Sequence, residues 1–370
     1  MSGSAQPGGA ASSGSGGDAA DATAGESAEA HTSKAGARAG RVAVVGAGVA
    51  GLACARALGE HGFLVRVFEQ ETHPGGRLAT RRLDTLSFDH GVQYFTTQDH
   101  RFEPVVRGWQ SAGIVARWSA RTVVLDARGL GEEVGSVPRF VGVPNMHAVA
   151  SHLARGLDLR LGSEVARIER RSGGWALLGQ QDAELDETMF DRVVLAVPSV
   201  IASSLLGDHC ELAQRAATLS WDSCWAVMLA LGRPSGIDFD AAFVSDDPIL
   251  GWAARESSKP ARAPLRGAVE SWILHAHPTW SRSYLELEPS DASRWVQRAF
   301  AARVGRPLVP VAVAAHRWRL ALPVNPLAET FLFDPSLGVG LAGDWCGGPR
   351  VEGAYLSGMA LAGAISGQVQ

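Results

Sequence analysis

Six residues, Gly46-Ala47-Gly48-Val49-Ala50-Gly51, constrain this chain more than anything else in it. They follow Val42 to Val45, a β-branched apolar run of the kind that forms a strand buried on both faces. They precede Leu52 to Leu58, a small-residue stretch with helical character that His61-Gly62 breaks. Leu64 to Phe68 then reads as a second strand, with Glu69 at its end. A Gly-x-Gly-x-x-Gly run alone is a weak signal, but strand before, helix after and an acid about 20 residues on make a dinucleotide-binding βαβ unit. Each glycine has a separate task. Gly46 permits the tight turn, Gly48 lets the backbone approach a pyrophosphate, and Gly51 lets the helix close on the strand. Unpaired N–H groups at the helix start favour the phosphates, and the Glu69 carboxylate suits ribose hydroxyls.

The next segment narrows the dinucleotide. Pro74-Gly75-Gly76-Arg77-Leu78-Ala79-Thr80 resembles the second FAD motif of the amine oxidase and phytoene desaturase superfamily. An arginine often stands two residues before those glycines; here the position is His73, which weakens one phosphate or ribityl contact. Far along the chain, Gly343-Asp344-Trp345-Cys346 and Arg350-Val351-Glu352-Gly353-Ala354 resemble the superfamily's closing FAD element, in which the Asp bonds the ribityl or pyrophosphate end and a helix N-terminus faces the flavin pyrimidine. The resemblance implies noncovalent FAD, despite Cys346 beside the motif. Its expected contacts are Gly46, Gly48, Ala50, Gly51, Glu69, Gln70, Gly75, Gly76, Arg77, Val165, Asp344, Val351, Glu352 and Ala354.

Further strands are expected at Ile114 to Trp118, Thr122 to Leu125, Glu164 to Ile168, Val193 to Val197, Cys224 to Leu231, Ala268 to Leu274, Val311 to Ala315 and Gly338 to Ala342. Helices are expected at Phe102 to Ala112, Met146 to Ala154, Ala292 to Val304 and from about Val351 onward. Helices and strands alternate at both ends while the middle is strand-rich. The fold class is therefore α/β: a Rossmann-type FAD-binding domain of discontinuous segments with an inserted mixed-sheet substrate domain. The expected division is 41–98, 142–210 and 325–370 for FAD, and 99–141 and 211–324 for substrate. Residues 1–40 are Gly, Ala and Ser with scattered acids and no aromatic, so a disordered tail is expected there, with neither signal nor transit sequence.

Composition excludes several function classes. Net charge is −4, so no basic field draws nucleic acid or an anionic membrane. No apolar run approaches the ~18 residues of a bilayer span. Cys54, Cys210, Cys224 and Cys346 suit neither a metal site nor a disulfide framework and read as reduced thiols of a cytoplasmic protein. The only lysines are Lys34 and Lys259.

Three stretches refine the family. They are Asp89-His90-Gly91-Val92-Gln93-Tyr94-Phe95-Thr96, then Glu270 to Leu274 with His277 to Ser281, then His316-Arg317-Trp318 with the Gly343 and Val351 elements. Together they are similar to the bacterial renalase family, from about Arg41 to the C-terminus. That resemblance implies an FAD oxidase that converts 2- and 6-dihydro isomers of NAD(P)H to NAD(P)+ and passes the electrons to O2, giving H2O2; a monomer is expected, though the sequence does not fix the oligomeric state. No proton leaves carbon in that chemistry, so no general base is needed. Gln93, Tyr94, Trp272, His316 and Trp318 are the candidate substrate residues. Gln93 either bonds a carboxamide or sits on a sheet surface. Tyr94 and Phe95 alternate faces, one to core and one to cavity. Trp272 and Trp318 are either ring walls or core, and His316 either lines the cavity or does not. The competing reading is an FAD amine oxidase or desaturase; many amine oxidases of the superfamily hold a lysine near flavin N5 through a water. Lys259 lies in a polar, Pro-flanked stretch that reads as an exposed loop. A flavoprotein kept only for binding is a third class, and the intact FAD constellation speaks against it.

Overall fold

The computed structural model describes residues 40–367, apart from 84–85, 128, 136, 208–209 and 263–268. The expectation of a disordered tail therefore lies outside the described residues, save Gly40.

Two sheets organise the body. The first has six strands in the order Leu332–Asp334, Val339–Leu341, Arg192–Leu195, Arg41–Val45, Leu64–Glu69 and Asp158–Leu161. All its pairings are parallel except the outermost, between Leu332–Asp334 and Val339–Leu341. Val42 and Val44 pack on one face with Leu52 and Leu58 of helix Val49–Glu60. Ala43 and Val45 pack on the other with Val193, Leu195 and Trp345. Both faces are covered, which is why this strand is apolar without alternation. Helix Val351–Ser366 lies against helix Val49–Glu60. Their approach is so close that a Cβ on Gly358 would collide with Ala50 O.

The second sheet has seven strands in the order Pro310–Pro323, Trp221–Leu231, Glu270–Ala276, Leu250–Arg255, Ala241–Val244, Thr122–Asp126 and Gly129–Glu133. It is mixed, because Ala241–Val244 runs parallel to Thr122–Asp126 while the other pairs are antiparallel. The fold is thus a Rossmann-type α/β unit of separated segments with a mixed sheet inserted. Helix Pro289–Arg303 covers one face of the second sheet, burying Trp225, Trp272, Leu274 and Phe300 together. The other face meets the hairpin Thr80–Leu83 and Leu86–Asp89 through Phe88, Met228 and Ile273.

Some elements depart from expectation. The strand expected from Glu164 begins at Arg167, leaving Val165 in a connection. The strand expected at Val311 to Ala315 runs on to Pro323 as a 14-residue sheet edge. Pro198 starts the helix Ser199–Leu206, because proline's fixed φ suits a helix entry.

Candidate active site

The glycine run builds an anion cradle. Gly46 turns the chain at φ +99°, where a Cβ would lie 2.6 Å from Ala196 O. Gly51 carries none because one would collide with Gly46 O. Gly48 differs: a Cβ there would project into open space, and its φ of −74° suits any residue. Gly48 precedes the uncapped N-terminus of helix Val49–Glu60, whose first N–H groups have no intrahelical partner. The Gly75-Gly76 loop folds back over it. Gly75 N–H donates to Ala47 O at 2.8 Å, and a Cβ on Gly76 would lie 3.8 Å from Gly48 Cα. Glu69 is buried and accepts from the Ala47 and Glu71 N–H groups at 2.8 and 3.0 Å. The distant motifs meet: Arg77 donates to both Asp344 oxygens, at 2.6 and 2.7 Å, and to Ala321 O at 3.0 Å. An open cradle at a free helix N-terminus, a buried acid at the second strand's end and a joined Arg–Asp pair fit FAD.

Other expected FAD contacts fall around this cradle in different roles. Gln70 is exposed and Ala354 half-buried. Ala50 is buried against Gly358, and Val165 packs in the core with Phe68 and Phe190. Val351 is buried at the start of the last helix. Glu352 is turned inward, its Oε1 accepting from the Gln98 and Asp99 N–H groups at 2.8 and 2.7 Å. It staples that loop to the helix, and that oxygen is already occupied.

Next to the Arg77–Asp344 pair stands an aromatic wall. Trp318 Nε1 donates to His90 O at 3.0 Å, and the two rings stack 5.0 Å apart. The His316 ring sits 4.7 Å from His90 and 4.3 Å from Trp318. Gly91 has no room for a Cβ between Arg77 O and Trp318. His275 Nε2 lies 3.3 Å from His90 O. Ladder register explains the grouping, since His316, Ala226 and His275 oppose one another across three neighbouring strands. Burial drives His90 down to about 3, helped by the charges of His316 and Arg81. Burial also holds His275 at about 4, and burial with Arg81 holds His316 at about 4. All three imidazoles are neutral at pH 7.

Parity along Glu270–Ala276 corrects Trp272. Its neighbours Ile273 and His275 face the wall, so Trp272 faces helix Pro289–Arg303, fully buried against Phe239 and Phe300. Its Nε1 donates to Glu270. It is core and walls no cavity. Tyr94 is half-buried, between the Trp118 and Trp252 rings with Arg139 over its face, while Phe95 is core.

Lys259 is the largest correction. It is not in an exposed loop; its side chain has no exposure at all. Nζ donates to Glu256 Oε2 at 2.7 Å, Gln93 Oε1 at 3.3 Å and Asp89 Oδ2 at 3.5 Å. Arg262 completes the group, donating to Glu256 at 2.7 Å and to Asp89. Two carboxylates and two cations balance inside the protein. Burial opposes ionisation of Asp89, yet Lys259 and Arg262 hold its carboxyl below the usual range; burial, then Asp89, lift that of Glu256. Gln93 is buried, its Nε2 donating to Asp89 O and Gly91 O and its Oε1 accepting from Lys259, so both ends of the amide are held inside the protein and it fixes Lys259. His90 and Asp89 lay within a stretch that sequence singled out; the Glu256–Arg262 partners gave no signal, because Pro260 and three charges read as surface.

Cys346 is buried, its thiol pushed up by burial and by Asp344, and Cys54 and Cys224 are pushed up to about 12 by burial. No helix among the described residues is long and apolar enough to cross a membrane.

The model of the NAD(P)-binding Rossmann-like domain matches residues 44–109. That of the flavin-containing amine oxidoreductases matches residues 113–366. The chain belongs to the flavin-containing amine oxidoreductase family. Among curated proteins, it is 48% identical over 59 residues to mitochondrial protoporphyrinogen oxidase of Nicotiana tabacum, 16% of this chain and 12% of that one. It is 49% identical over 51 residues to a zeta-carotene-forming phytoene desaturase of Myxococcus xanthus, 14% of this chain and 10% of that one. The match thus spans about a tenth of those relatives. Cyclohexylamine oxidase from Brevibacterium oxydans superposes at TM-score 0.68 with 14% identity, covering 90% of this chain and 99% of that one. Putrescine oxidase bound to putrescine gives 0.66 with 14% identity, covering 89% and 99%. At such identity these structures speak to the fold alone.

Proposed function

We propose that this flavoprotein is a renalase-like oxidase that converts 2- and 6-dihydro isomers of NAD(P)H to NAD(P)+, with FAD held noncovalently. On this reading residues 41–98, 142–210 and 325–370 hold the cofactor, and 99–141 with 211–324 shape the substrate site. The observation that carries the reading is an aromatic wall of His90, His316 and Trp318 beside the Arg77–Asp344 pair, whose three neighbouring imidazoles are poor bases and whose nearest lysine is tied up in ion pairs, among the described residues. The imidazoles are too acidic when protonated. The Lys259 ammonium is enclosed inside the protein, with Glu256, Gln93 and Asp89 oxygens at 2.7, 3.3 and 3.5 Å. Bound FAD supplies the hydride acceptor and the path of electrons to O2.

The residues' own work is then positional. The Trp318 and His90 rings offer flat walls for a dihydropyridine, and their π faces suit the cationic pyridinium that forms. Trp318 is held by His90 O, so the wall is fixed before substrate arrives. His90 Nδ1 and Trp252 Nε1 are buried without a hydrogen-bond partner among the described residues, which is where a ligand's polar groups gain most. The balance is one hydride from ring carbon and one solvent proton delivered to O2, giving H2O2 and NAD(P)+. Oxygen uptake with 2- and 6-dihydroNAD(P) against a panel of primary amines tests the reading. Uptake with the dihydropyridines supports it; uptake with amines alone replaces it by amine oxidation.

A further inference from the structure

A cavity of about 750 Å³ opens over the free edge of strand Pro310–Pro323, away from the FAD cradle. Arg81, Arg294 and Arg317 line it with Ser290 and Gln297, and no carboxylate is among its lining residues. His316, a member of the aromatic wall, also lines it, so one side chain belongs to both the cavity and the wall. The size suits a nucleotide-sized ligand.

Two of its three guanidiniums are weakly engaged. Arg81 is exposed and donates to Ala315 O at 3.3 Å, near the limit of a hydrogen bond. Arg294 is exposed and pairs with Asp291 one helical turn away, an arrangement worth little in water. Arg317 is held by Leu285 O and Glu286 over the Trp225 ring and contributes fixed positive charge.

We propose that this cleft seats the pyrophosphate arm of a dinucleotide substrate whose reduced ring lies against His90 and Trp318, with Arg81 and Arg294 as the phosphate donors. The proposal rests on the dihydronicotinamide reading and names what that reading leaves open: the substrate is recognised by its phosphates as well as its ring. Arginine suits the task because its planar fork meets phosphate oxygens two at a time.

The test uses holoprotein, the Arg81→Gln/Arg294→Gln double variant, and an Arg81→Lys/Arg294→Lys control that keeps the charge. Two readouts are taken. One is the ratio of kcat/KM for 6-dihydroNAD to that for 6-dihydronicotinamide riboside, which lacks the pyrophosphate. The other is calorimetric binding of ADP-ribose, which carries the pyrophosphate and no nicotinamide. The ratio is expected to fall at least tenfold in the glutamine variant and to recover in part with lysine. ADP-ribose should bind wild type and lose at least tenfold in affinity in the glutamine variant. An unchanged ratio, or ADP-ribose affinity indifferent to the substitutions, overturns the cleft assignment. If neither dihydropyridine reduces the flavin, the oxidase reading fails by itself, and the ADP-ribose titration still decides whether the cleft is a phosphate site.

Discussion

Replacing Lys259 by methionine should destabilise the protein severely. The Lys259 side chain has no exposure, and its ammonium lies within 3.5 Å of Glu256, Asp89 and Gln93 oxygens. Methionine fills most of the volume, so the loss is electrostatic. Two buried carboxylates would then share the single cation Arg262, leaving about one uncompensated charge in the interior. Removing one partner of a buried ion pair costs about 3–5 kcal/mol. For a body of this size that is a fall in Tm of about 4–7 °C. Adding Glu256→Gln restores neutrality, because Asp89 keeps Arg262, and should return at least half of the loss. The assay is scanning calorimetry of the holoproteins at pH 7.5 with FAD in excess, beside flavin content. A Lys259→Met protein melting within about 2 °C of wild type refutes the reasoning, as does a double variant no more stable than the single. A lysine serving amine oxidation through a water shows the reverse pattern, with stability kept and turnover lost.

Three more outcomes follow from the same geometry. Gly48→Val should leave the apo protein melting within about 2 °C of wild type while abolishing flavin binding, because its Cβ meets only open space; Gly51→Val should lower the apo melt itself, because its Cβ collides with Gly46 O. Trp272→Ala should cost about 3–5 kcal/mol of stability in urea unfolding, as a core truncation, whereas Trp318→Ala should keep flavin content and slow flavin reduction about tenfold or more. His275 stays neutral to about pH 4 when folded but protonates near 6.5 when unfolded, so its share of stability is complete above pH 6.5 and drains away on acidification. Between pH 7.5 and 5 that share is roughly 2 kcal/mol. Glu256 works in the opposite sense, so the measurement is a difference: His275→Gln should lose about 2 kcal/mol less than wild type over that interval.

The cofactor half was legible because its chemistry is local. Gly46, Gly48, Gly51 and Glu69 act through backbone geometry within one βαβ unit, and spacing along the chain reports that geometry directly. Arg77 and Asp344 lie 267 residues apart, and each could be read only because each sits in its own glycine-rich turn. The substrate half was harder to read, because its residues are grouped by sheet register. Trp272 and His275 are three positions apart on one strand, yet face opposite sides of the sheet. The sequence Glu270-Ser271-Trp272-Ile273-Leu274 does not alternate, since both faces are covered, so parity could not be assigned. Lys259 was misread for a related reason. Its neighbours look like surface in one dimension, and the partners Asp89, which shares its charge with Glu256, and Gln93, which accepts its hydrogen bond, arrive from 166 to 170 residues away.

The account's central claim is that the ring site accepts a hydride donor that needs no base. Anaerobic stopped-flow mixing of the oxidised holoprotein with 6-dihydroNAD, and separately with primary amines, tests it most directly. Rapid bleaching of the flavin band by 6-dihydroNAD, with one equivalent of NAD+ formed per flavin and no bleaching by amines, is the predicted result. Bleaching by an amine, with the flavin left oxidised by both 2- and 6-dihydroNAD(P), would contradict it.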